Sequence, residues 1–188
     1  MNMAYNARFL FIQKNQLIAI AILVILTCLH ANAQNAGVKI PEQIKTVLNT
    51  DYPQWELAKL NEPWEIAYWK KRKVNPAFIS GDFNGDKARD FALQIVHAVP
   101  SSPQKERVIM VFLQHGKSYD KIILEASLVD PALDITLHLI KKGSKGQEFD
   151  KEEGFIYPLD AIDVGYSDKA SQSYIWKNEK FETITTGD

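Results

Sequence analysis

The chain has 188 residues, 22 Lys and Arg against 23 Asp and Glu, a formal charge of −1 and one cysteine. That balance offers nucleic acid no electrostatic hold, and a lone thiol excludes a disulfide framework within the chain. With 46% hydrophobic and 24% charged residues the composition is that of a globular domain.

Residues 1–33 carry Arg8 and Lys14 and no acidic side chain, run apolar from Leu17 to Leu29, and end in Ala31-Asn32-Ala33. This is the pattern of a secretory signal peptide cleaved after Ala33. The apolar run of about 13 residues is too short to span a bilayer as a helix, so no membrane span is expected after cleavage. Cys28 follows Ile25-Leu26-Thr27 and lacks the small residue that lipoproteins place before the cysteine. The expected product is a single periplasmic or secreted domain, residues 34–188. Losing Arg8 and Lys14 leaves 20 basic against 23 acidic residues, a charge of −3, and removes the cysteine.

In chain order, Ile40, Ile44, Val47 and Leu48 lie at helical spacing behind Pro41, which suits a first turn, and predict one amphipathic helix ending near Thr50. A short extended piece follows around Trp55 and Leu57. A second helix is expected from Pro63-Trp64 to Lys70-Lys71-Arg72-Lys73, stopped at Asn75-Pro76. From Phe78 the period changes to two. Phe91, Leu93 and Ile95 predict a half-buried strand, and the unbroken run Val108 to Leu113 predicts a central one. That run should pair with Tyr119 to Glu125 across the turn Gln114-His115-Gly116-Lys117-Ser118. Further strands are expected at 134–140, 161–166, 171–176 and 180–185, with a polar loop through Gly146 between the first two. The resulting fold class is α+β: N-terminal helices packed on a mainly antiparallel sheet.

One segment carries specific chemistry. Asp82-Phe83-Asn84-Gly85-Asp86-Lys87-Ala88-Arg89-Asp90 sets side-chain oxygens at loop positions 1, 3, 5 and 9, with the Ala88 carbonyl at position 7. Calcium takes about six to eight oxygen ligands, and alternate residues of a curled loop can converge on one ion. Position 12 is Leu93, where an EF-hand requires a bidentate Glu, so the EF-hand is excluded. A turn whose carboxylates cap its own backbone amides, with no metal, is the competing reading.

These residues resemble the FG-GAP or VCBS repeats, whose pattern D-x-N-G-D-G-x-x-D runs into an apolar strand. Asp82, Asn84, Gly85, Asp86 and Asp90 match, followed by Phe91-Ala92-Leu93-Gln94-Ile95-Val96. The resemblance implies a calcium-holding turn between antiparallel strands, with Asp82, Asn84, Asp86, Ala88 and Asp90 as ligands. A full propeller is not expected, because the chain holds one copy and propellers need about four to eight blades. The chain as a whole resembles uncharacterised secreted bacterial proteins that carry one such segment and end in a Tyr-x-Trp-x-Asn-x-Lys-Phe hairpin, here Tyr174 to Phe181. Position 6, usually Gly, is Lys87, which costs about 1 kcal/mol in a left-handed conformation and brings a positive charge. Affinity is therefore expected near 10⁻⁴ to 10⁻³ M, roughly the range of extracellular calcium modules.

No G-x-S-x-G elbow is present, and His97, His115 and His138 are too widely spaced to assign to one zinc. A non-enzymatic domain is the resulting expectation; a deep pocket lined by His97 or His138 with carboxylates would instead point to a hydrolase. Glu152-Glu153, Asp160 and Asp163 read as ordinary exposed carboxylates, and Lys70 to Lys73 as solvated charges at a helix end. Trp55, Trp64, Trp69 and Trp176 read mainly as core, with an aromatic surface for carbohydrate or peptide as the alternative. Functionally, the sequence predicts an extracytoplasmic domain with one structural calcium loop; the alternative is a module that binds or inhibits an extracytoplasmic protein without metal.

Overall fold

The computed structural model describes residues 39–187 apart from 101, 131, 168 and 169. The signal-peptide reading of residues 1–33 lies outside the described residues. From Phe78 onward, alternating or unbroken apolar residues form strands that pair antiparallel throughout. One sheet has β3 (Asp90–Ala98), β4 (Lys105–His115) and β5 (Ser118–Leu128) in sequence. The far edge of β3 is shared by β2 (Phe78–Gly81) and the short β1 (Glu56–Leu57). A second sheet has the order β11 (Lys180–Gly187), β10 (Ala170–Lys177), β9 (Ala161–Tyr166), β6 (Ile135–Ile140). A separate two-stranded arm pairs β7 (Lys145–Gln147) with β8 (Gly154–Ile156).

The sheets share one core. Ile79, Ala92, Ile109 and Val111 from the first meet Ile135, Leu137, Ile162 and Val164 from the second. Each such side chain, fully buried, contributes roughly 1.5 to 3 kcal/mol against its exposed state. Period-two alternation supplies the inward face of each sheet.

The expected α+β class is corrected: this is a mainly antiparallel β structure with two helices among the described residues, α1 (Glu42–Asp51) and α2 (Pro63–Arg72). Both lie where the sequence places them, but each has only 10 residues. The principal core forms between two sheets, and the helices lie at its periphery. A second correction concerns β3, which is buried on both faces. Leu93 and Ile95, on the face opposite Ala92, are 0% exposed. Ile44 and Leu48 of α1 are fully buried as well, and α1 lies beside β5. Lys121 of β5 donates to Asp51 at 2.5 Å, and the Tyr52 ring meets His97 of β3 at 5.0 Å.

At one end of the core a polar cluster replaces the apolar one. Asp134, 2% exposed, accepts from the Asn61 amide at 2.8 Å, the Asn61 side chain at 2.9 Å and the Glu62 amide at 2.8 Å. These donors immediately precede α2, so a residue at the mouth of β6 holds the start of a helix from 72 positions further along the sequence. Arg107 lies buried nearby, donating to the Leu133 carbonyl at 3.2 Å and, with the Gln94 amide oriented to satisfy both neighbours, to Gln94 at 3.1 Å. Burial pushes the Arg107 guanidinium below its ordinary value, opposed by Asp134, Asp130 and Glu125.

Asp134→Ala should therefore cost about 3 kcal/mol, because it strands the amides of Asn61 and Glu62 without their charged acceptor. Urea unfolding measures the loss, and amide exchange should quicken first in α2.

Candidate functional site

The acidic loop joins β2 to β3 and is knit by its own side chains. Asp82 accepts from the Gly85 amide at 2.8 Å and the Lys87 amide at 3.1 Å. Asn84 accepts from the Asp86 amide at 3.1 Å, and Asp86 accepts from the Ala88 amide at 2.7 Å and the Asn84 side chain at 3.0 Å. Closing the turn this way holds Gly85 at φ 82° and Lys87 at φ 69°, the left-handed region that position 6 was expected to demand. Across the loop, Asp160 accepts from the Asp82 amide at 3.3 Å, the Lys142 amide at 2.9 Å and the Lys141 ammonium at 3.0 Å. Burial works to raise the Asp160 carboxyl, but these donors win and hold it below the usual value. Asp160 is thus the second anchor of the loop, supplied by the turn before β9.

The five predicted ligand positions divide into two groups. Asp82, Asn84, Asp86 and Ala88 stay together on the curl. Asp90 is 0% exposed and turns inward, accepting from the Phe83 amide and the Gln114 amide, each at 2.8 Å. It ties the loop to the end of β4. Among the described residues no three or more His, Cys, Asp or Glu side chains are gathered as a metal-holding group. A calcium loop also draws on amide and carbonyl oxygens.

The other sequence candidates disperse. His97 bonds Glu106 at 2.9 Å, and His115 sits exposed at the end of β4. Glu152 and Glu153 are exposed between β7 and β8. Trp55 donates to Asn49 at 2.8 Å, and Trp176 packs edge-on against Phe181 at 5.0 Å.

His138, Asp163, Trp64 and Trp69, by contrast, come together. They line a groove of about 410 Å³ between α2 and the outer face of the second sheet. Trp69, 8% exposed, stands edge-on to His138 at 4.8 Å, while Trp64 and Tyr68 are 52% and 41% exposed along the groove wall. The floor is polar. His138 is within 3.0 Å of the Thr136 hydroxyl, and burial lowers its pKa against the opposing charge of Asp163, so the ring is neutral near pH 7. Asp163 accepts from Ser173 at 3.0 Å and Thr186 at 3.2 Å; Ser171 and Thr186 share a hydrogen bond of 3.0 Å. A larger hollow of about 540 Å³ along the β7–β8 arm has walls without carboxylate, imidazole or hydroxyl groups.

Asp90 makes a pH-dependent prediction. Burial is the largest influence on its carboxyl and, with the charge of Asp86, raises it above the ordinary 3.8, against the backbone donors of Gln114, Phe83 and Asn84. Between the unfolded and folded values the native state holds more protons, so this group's stabilisation is complete below the unfolded value and lost as pH rises through the raised folded one. Asp90→Asn should remove that pH-dependent loss. It should also cost about 2 kcal/mol at pH 7, since the amide turns a second donor toward the Phe83 or Gln114 N–H. Urea titrations across that pH window check both.

No family model, no curated protein and no solved structure matches the chain.

Proposed function

We propose that the chain works outside the cytoplasm as a non-enzymatic domain whose acidic turn is a structural calcium site. The observation that supports this reading is the left-handed backbone of Lys87, φ 69°, which keeps Asp82, Asn84 and Asp86 together on one curl despite the lysine side chain; the carboxylate-to-amide bonds within the curl belong equally to the metal-free turn. Each carboxylate oxygen has lone pairs beyond the single amide bond it accepts. A cation on the exposed side would take those lone pairs, the Ala88 carbonyl and water, and would neutralise neighbouring charges. Its role is mechanical: Asp90 and Asp160 connect the loop to both sheets, so tightening the loop tightens the entry to β3.

With a dissociation constant of about 1 mM, 10 mM calcium would stabilise the fold by about 1.4 kcal/mol, RT ln 11. That is roughly 3 to 6 °C in melting temperature for a domain of this size. Asp86→Ala should abolish the gain, and magnesium should not reproduce it. Scanning calorimetry of chelator-treated protein is the measurement; a full calcium shift in the variant would remove this site from consideration.

A second reading, a binding module, is favoured by the groove beside α2. Its two serines and its histidine are engaged elsewhere, Ser167 with the Asp134 backbone, Ser171 with Thr186 and His138 with Thr136, and Ser171 and His138 lie on strands separated by β9. They therefore form no nucleophile–base pair, and the groove supports recognition better than hydrolysis. On this reading, Trp64→Ala/Tyr68→Ala should lose material that the unmodified protein retains from envelope extract. Equal retention by the double variant would count against the groove.

A further inference from the structure

We infer that the groove between α2 and the second sheet is a binding site for a neutral saccharide, seated as a single pyranose ring against Trp64; this rests on the binding-module reading. The register across the four strands supplies the argument. Thr136 of β6 pairs with Gly165 of β9, Gly165 with Ser171 of β10, and Ser171 with Gly187 of β11. One line across the sheet therefore reads hydroxyl, glycine, hydroxyl, glycine. A Cβ at Gly165 would come within 3.1 Å of the Thr136 hydroxyl, and one at Gly187 within 2.7 Å of the Ser171 hydroxyl. The two glycines lower the floor where side chains would fill it. With strands about 4.8 Å apart, Thr136 and Ser171 stand roughly 10 Å apart on either side of Gly165. The next line adds His138 and Asp163, which are paired across β6 and β9.

Three features distinguish a sugar from other occupants. First, the inner floor strands β9 and β10 are paired on both edges within the β11-β10-β9-β6 order, so the trench at Gly165 and Ser171 offers side chains rather than a free strand edge. A peptide that recognises through its main chain finds little to pair with, whereas a sugar brings its own hydroxyls. Second, the aromatic wall suits the flat C–H face of a pyranose, and Trp64 is half exposed there. Third, a cationic ligand meets competition at the Tyr68 ring, where the Arg72 guanidinium already lies 3.5 Å from the centre, and of the two carboxylates lining the groove, Glu65 and Asp163, the second is taken up by Ser173 and Thr186. A neutral, hydroxyl-rich ring fits both the polar floor and the occupied cation position.

The test uses full-length, isotope-labelled protein and amide chemical shifts. Chitotriose, cellotriose and maltotriose are titrated to tens of millimolar, with choline chloride and trialanine as probes of other chemistry. At least one trisaccharide should shift the Thr136, Gly165 and Ser171 amides saturably. Trp64→Ala should weaken that binding at least tenfold, and Ser171→Ala several-fold, with both variants retaining the native spectrum elsewhere. Shifts that survive both substitutions unchanged would overturn the site. If choline or trialanine moves these amides and no sugar does, the ligand class falls while the groove stands as a recognition surface. If no probe moves them, the saccharide site and the binding-module reading fall together, leaving the calcium turn unaffected.

Discussion

The buried carboxylate of Asp134 is the interaction on which the groove depends. Helix α2 has no side-chain cap of its own at Glu62 and begins with proline. Its N-terminal segment is held instead by Asp134, through the amides of Asn61 and Glu62. Asp134 is itself located by Ser167, whose hydroxyl accepts from the Asp134 amide at 2.7 Å and donates to its carbonyl at 2.9 Å. Through this chain of contacts the start of β6, the turn after β9 and the start of α2 converge. A 10-residue helix is too short to be stable alone, so its position over His138 follows from that anchor and from the burial of Trp69.

The two ends of the core are closed by different polar devices. Asp134, Arg107 and Gln94 occupy one end; Asp90 and the acidic loop occupy the other. Between the sheets Glu125 of β5 accepts from Tyr174 of β10 at 2.5 Å and from Tyr166 of β9. Burial chiefly, and then the Glu125 carboxylate, push both phenols above their ordinary value, so they remain protonated donors across the physiological range. Buried polar groups stabilise only when satisfied. Here they orient the sheets in a way that methyl packing alone does not, since a hydrogen bond has direction and dispersion does not.

Much of this was legible in the sequence where the signal is local. The spacing of Asp82, Asn84, Asp86 and Asp90 forecast a curled turn, and the Gly normally required at position 6 forecast the left-handed backbone of Lys87. What the spacing did not disclose is that Asp90 faces inward, because its partner at Gln114 belongs to the end of β4. The helices were legible from their apolar spacing and from Pro63, yet the fold class was not. Helices that come first in the chain suggested a helical layer, whereas the largest core forms between β-sheets whose pairing is set by contacts distant in sequence. β7 and β8 leave no signal in the sequence, because strands of three residues have no period to read. The groove was invisible for a related reason. Thr136, Gly165, Ser171 and Gly187 become a single line only through the register of four strands.

The outer faces of the two sheets make the groove's polarity informative. On the first sheet, Leu93 and Ile95 lie away from the shared core and are fully buried, as are Ile44 and Leu48 of α1, so that layer is apolar packing. On the second sheet, the end of the corresponding face nearest α2 carries Thr136, His138, Asp163, Ser171 and Ser173, while its other end carries Ala161 and Ile175 in an apolar cluster with Tyr157. Yet α2 partly covers it, burying Trp69 and drawing His138 out of water. Covering a polar face with an aromatic helix is energetically inferior to covering an apolar one, because desolvated hydroxyl, imidazole and carboxylate groups must each be satisfied. Real folds depart from internal consistency chiefly where function requires it. An aromatic wall over a hydroxyl and carboxylate floor, with glycines at the two positions where side chains would close the trench, is such a departure. It is the feature on which the proposed recognition role of the α2 groove rests.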